Sequence, residues 1–90
     1  MGLLNSIFGS VAGAAEKRML EYYGIRRPYD TVEVVGRILR TDMDYSEQQR
    51  HLRNIIGWLK RLSIANKQGA DQAADALKEI KHRWGDDVPM

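Results

Sequence analysis

Leu52, Ile55, Ile56, Leu59 and Leu62 follow one another at steps of 3, 1, 3 and 3 residues, the return interval of one helix face. Val32, Val35, Ile38 and Leu39 repeat the spacing, as do Ala73, Leu77, Ile80 and Trp84. The Val32–Val35 run alone also suits a strand, but no second alternating segment exists to pair with it. The spacing therefore predicts an all-α chain, a small bundle of about four helices over residues 3–23, 31–40, 47–64 and 70–84.

The breaks between these stretches have local causes. Gly24 is a natural left-handed C-cap, and Pro28 disfavours helix at Arg27. Asp30 with Glu33, and Ser46 with Gln49, have the spacing of capping boxes opening the second and third helices. Asn66-Lys67-Gln68-Gly69 reads as a turn, and Gly85 stops the fourth helix. The expected organisation is an amphipathic helix over 1–24, which completes the core or projects from it, a compact helical core over 25–85, and a flexible tail over 86–90.

With 90 residues, 43% of them hydrophobic and 29% charged, the chain has the composition of one small globular domain. Such a chain buries only ~60–65% of the surface its unfolded form exposes. Thin cores of this kind often gain burial from a partner or from a second copy. The absence of cysteine excludes disulfides, thiolate metal sites and a cysteine nucleophile.

Residues 1–15 contain no charged side chain. On a helical wheel Leu4, Ile7, Phe8, Val11 and Ala15 share one sector that Tyr22 continues, while Ser6, Gly9, Ser10 and Gly13 lie opposite. Bulky apolar residues against a small uncharged face is a pattern of helices that sense lipid packing. The Gly9-x-x-x-Gly13 spacing equally suits close approach of two helices. Leu4, Ile7, Phe8, Gly9, Val11 and Gly13 are thus a candidate self-association or membrane face, and packing on the chain's own core is the plainer alternative. Met1-Gly2-Leu3-Leu4-Asn5-Ser6 also fits the short pattern for acylation of Gly2.

The net charge of +2 is too small to name a partner, but its distribution is uneven. Residues 46–66 carry Arg50, Arg53, Lys60 and Arg61 against Glu47 alone, and the other stretches nearly balance. Arg50, Arg53, Asn54, Lys60 and Arg61 fall opposite the apolar stripe of the third helix. They form a candidate basic face for an acidic protein or, as a further alternative, a nucleic-acid backbone, with Gly57 permitting close approach. A solvated face is the simpler reading. Tyr22, Tyr23, Arg26, Arg27 and Tyr29 make a candidate aromatic–cationic patch, since tyrosine, tryptophan and arginine recur at interface hot spots. Trp58 and Trp84 read first as core or core-rim residues.

Catalytic patterns are missing. His51 and His82 lack metalloprotease spacing and read as exposed or capping side chains. Asp42-Met43-Asp44 opens like a calcium loop, but Glu47 stands where glycine is needed and Arg53 where glutamate is needed. The serines have no Gly-x-Ser-x-Gly elbow. The expectation is a non-enzyme without cofactor, metal or small-molecule substrate. It would act as an adaptor, regulatory or assembly factor by binding another protein or itself. Membrane-surface association through residues 3–15 is the first alternative, and nucleic-acid binding through helix 47–64 the second. No run of apolar residues is long enough to span a bilayer, and no Lys or Arg precedes Leu3–Phe8 as in a secretory signal. The expected location is cytoplasmic, with a peripheral place at a membrane as the variant.

Overall fold

A computed structural model describes residues 14–90. Among these residues the chain forms four α-helices and no strand: α1 (Ala14–Tyr23), α2 (Asp30–Arg40), α3 (Tyr45–Ile64) and α4 (Ala70–Trp84). The all-helical small bundle expected from apolar spacing is what the chain adopts.

The end of α1 follows the glycine rule. Gly24 has φ +71°, the Gly24 N–H donates to the Glu21 carbonyl at 3.2 Å, and the Ile25 N–H donates to the Leu20 carbonyl at 2.8 Å. This is a Schellman motif, and its hydrophobic contact is supplied by the buried Leu20 and Ile25.

Neither capping box forms. Asp30 is the first residue of α2, and its Oδ2 turns back to accept the backbone N–H groups of Arg26 at 3.0 Å and Arg27 at 2.9 Å. The first-turn donors need no box, because the N–H groups of Asp30, Thr31 and Val32 already donate to the carbonyls of Arg27, Pro28 and Tyr29. α3 starts at Tyr45, one position before Ser46, so Ser46 lies inside the helix, and no side chain caps α3.

The predicted stripes build the core. Leu52, Ile55, Ile56, Leu59 and Leu62 of α3 are buried against Ala73, Ala76 and Ile80 of α4 and Val32, Val35 and Ile38 of α2. The small side chains of Ala73 and Ala76 let α4 lie close along α3, which is the most extensive helix pairing in the fold. Leu39 and Leu77 are only half-buried, whereas Val34 is fully inside. Trp58 belongs to the core, and its indole N–H donates to the Glu16 carboxylate of α1.

Two segments differ from their simplest sequence reading. Residues 86–90 are packed, not loose: Val88 is 6% exposed within the core cluster, Gln49 Nε2 donates to the Asp87 carbonyl, and Lys60 Nζ donates to the Met90 carbonyl at 2.6 Å. Val88 ties the segment to the core, and the two bonds tie it to α3. In α1 the sector containing Ala15 and Tyr22 faces solvent, and Leu20 and Tyr23 enter the core instead. The inward face of α1 is Glu16, Met19, Leu20 and Tyr23, which return at helical spacing about a quarter-turn away.

Candidate functional site

Among the described residues aromatic rings and cations meet on more than one surface. The first lies between α1 and α3. Tyr23 points inward, and its hydroxyl pairs with Nδ1 of His51, a residue only 8% exposed. His51 is thus a buried member of the α3 seam and not the exposed residue expected from sequence. Its Nε2 stands 3.8 Å from a Glu47 carboxylate oxygen. Burial pushes the Tyr23 phenol above the ordinary tyrosine value, against the opposing pull of the Asn54 side chain.

Tyr22 is held over this pair. Its ring lies nearly parallel to the His51 imidazole, 13° between planes and 6.1 Å between centroids, and meets the Tyr23 ring edge-on at 4.9 Å. Yet Tyr22 is 74% exposed, so much of the ring remains open to solvent. Ala15, Arg18, Met19 and Tyr22 of α1 line a groove with Glu47, Arg50 and Asn54 of α3.

The basic face continues from this groove. Arg50, Arg53, Asn54, Lys60 and Arg61 are all exposed, as the helical spacing required. Lys60 is engaged by the Met90 carbonyl. Arg50, Arg53 and Arg61 form no ion pair among the described residues, in contrast to Arg27 with Asp30 and Arg83 with Glu79.

The second surface lies between α2 and α4. Tyr29, Val32, Glu33, Gly36, Arg40, Arg83 and Trp84 line a shallow groove there. The half-buried Trp84 ring packs directly on Gly36: a Cβ placed on that residue would stand 3.1 Å from Trp84 Cζ2 and 3.2 Å from an Arg40 guanidinium nitrogen. Arg83 lies 5.7 Å from the Trp84 ring centroid, within cation–π range. The Tyr29 backbone N–H donates to Gln72 of α4, which joins the α2 entry turn to α4.

The five residues of the aromatic–cationic patch therefore divide. Tyr22 and Tyr23 belong with His51 and Arg50, Tyr29 belongs with Trp84, and Arg26 and Arg27 serve the turn by donating backbone N–H groups to Asp30. The helix between Tyr23 and Tyr29 has ended, and the chain turns across the bundle end, so neighbours in sequence reach different grooves. Sequence reasoning missed His51, Arg18, Gly36, Arg40 and Arg83. His51 had a readable signal, because it precedes Ile55 by four residues on the buried side of α3. Gly36 had none, since its partner Trp84 lies 48 residues away.

Leu4, Ile7, Phe8, Gly9, Val11 and Gly13 lie outside the described residues. Among the described residues no group of three or more acidic or imidazole side chains is arranged to hold a metal ion, and no helix is long and apolar enough to cross a membrane. No protein-family model, curated protein or solved structure matches this chain.

Proposed function

We propose that the chain is a non-catalytic interaction module, an adaptor or assembly factor that binds another protein, or a second copy of itself, through the α2–α4 groove. The observation that carries this reading is Trp84. Its ring is seated on Gly36, flanked by Arg40, Arg83 and Tyr29, and still partly open to solvent. Tryptophan, tyrosine and arginine are the residues over-represented where interfaces concentrate their binding energy. A ring already fixed by its own fold loses little side-chain entropy when a partner covers it. Among the described residues Arg40 has no acidic partner of its own, so its guanidinium is available to a carboxylate on the incoming surface. A cytoplasmic setting belongs to the same proposal.

A photo-crosslinking residue in place of Tyr29 tests it in cells, with one in place of Asp75 on the outer side of α4 as the control. A discrete adduct from position 29 and none from 75 supports the reading. Light scattering over a concentration series then separates a second copy from a different partner. Gly36→Leu, which displaces the Trp84 ring, is expected to abolish the adduct and, as an overpacking change, to cost about 1–3 kcal/mol of stability. No adduct at 29, or equal adducts at both positions, overturns the proposal.

A further inference from the structure

The α1–α3 surface points to a different partner, and the inference goes beyond the protein-binding reading because it uses none of the residues of the Trp84 groove. We infer that this surface binds a single strand of nucleic acid, with Tyr22 as a stacking platform and Arg18, Arg50, Arg53 and Arg61 as phosphate contacts.

The platform is the distinguishing feature. An exposed tyrosine on a helix ordinarily moves among rotamers, but the Tyr22 ring is backed by the His51 imidazole in a parallel arrangement and steadied by the edge of Tyr23. Tyr23 and His51 are themselves buried and joined through the Tyr23 hydroxyl and Nδ1. The result is a flat aromatic surface anchored to the core and open to solvent. Bases of any identity stack on such a surface, because every base has a π-face.

The cations lie beside it in a usable order. Arg18 and Arg50 share the groove with Tyr22. Arg50, Arg53, Asn54, Gly57 and Arg61 then follow one face of α3, and the 11-residue step from Arg50 to Arg61 spans about 16 Å at the helical rise. None of these four arginines is ion-paired among the described residues, so a phosphate would not have to displace a carboxylate. Gly57 lies within the row, and a Cβ placed on it would meet only the Arg61 guanidinium, at 3.4 Å, so the position leaves room for a strand to lie close to the helix. Glu21 and Glu47 also line the groove at the Tyr22 end. Arg18 and Arg50 in the same groove offset these charges, so the Tyr22 ring takes a base while the row Arg50–Arg61 takes the backbone. An acidic protein would satisfy the arginines equally well but has no particular use for a solvent-facing platform bordered by two carboxylates.

Fluorescence anisotropy with labelled 12-nucleotide oligothymidylate and oligouridylate tests the proposal on the full chain. Binding should weaken with salt on a log–log slope of about −2 to −3, the value for three to four phosphate contacts on a single strand. Arg53→Ala with Arg61→Ala should flatten the slope by roughly 1.4. Tyr22→Ala should weaken binding roughly tenfold and leave the slope unchanged, because stacking releases no counterions. All three side chains are exposed, and circular dichroism verifies that each variant retains its helices. Absence of binding at 50 mM salt overturns the inference, as does Tyr22→Ala without effect. Equal binding of polyglutamate would assign the face to acidic proteins, and equal binding of a duplex would remove the role of stacking. Either result also overturns it.

Discussion

Asp30 illustrates how a residue recognised for the right chemistry can perform a different task. Its carboxylate accepts two backbone N–H groups and lies 3.4 Å from the Arg27 guanidinium. Burial opposes its ionisation, but the Arg27 and Arg26 N–H groups and the Arg27 charge outweigh that cost and hold its pKa below the ordinary aspartate value. A carboxyl whose pKa falls on folding stabilises the fold above its unfolded value, and that contribution is lost as pH drops through the folded one. Asp30→Asn is therefore expected to cost about 1 kcal/mol at neutral pH, the scale of hydrogen bonds to a charged acceptor at a partly exposed site. Thermal melts of wild type and variant should converge as pH falls below the ordinary aspartate range. A constant gap at every pH would mean that the carboxylate charge contributes nothing to the turn.

Helix ends show which terminal signals act. Gly24 supplies a conformation that an L side chain adopts only with strain, and the Schellman bonds depend on it. Gly24→Ala should cost about 1 kcal/mol even though a Cβ there would meet no neighbour. Ser46, by contrast, forms no cap bond, and Ser46→Ala should change stability by less than about 0.5 kcal/mol. Urea unfolding of the two variants separates these cases, and a Ser46→Ala loss as large as that of Gly24→Ala would restore the capping box. α1 as an element is held by Leu20, Tyr23 and the Glu16–Trp58 bond, a narrower attachment than the full faces α2 and α4 bury.

Taken whole, the molecule presents the Trp84 and Tyr22 surfaces on different helix pairs, α2–α4 and α1–α3, with the α3 core stripe between them. The two proposals together would make the chain a small bridge that holds a protein on one side and an anionic strand on the other. Residues 86–90 contribute Val88 to the core. Val88→Asp should undock them and cost about 1.5–3 kcal/mol, the burial free energy of an aliphatic side chain. In a domain of this size that loss lowers Tm by at least about 6 °C, readable by calorimetry. An unchanged Tm would show that the segment packs without contributing to stability.

The apolar periodicity of this chain was sufficient to place α2, α3 and α4 and most of the core they share, because a face that returns every 3.6 residues is buried as a unit, whereas in α1 the sector of Ala15 and Tyr22 is not the buried one. The exposed row Arg50, Arg53, Asn54, Lys60 and Arg61 was legible for the same reason, as the complement of the α3 stripe. Tertiary structure decided what depends on residues distant in sequence. Tyr22 and Tyr23 are adjacent, and only the position of α3 determined which of them enters the core. Gly36 acquires its role from Trp84, and Val88 from the core cluster that it joins. Local spacing specifies which side of a helix is apolar, whereas the partner on that side is selected by packing, which no single segment encodes.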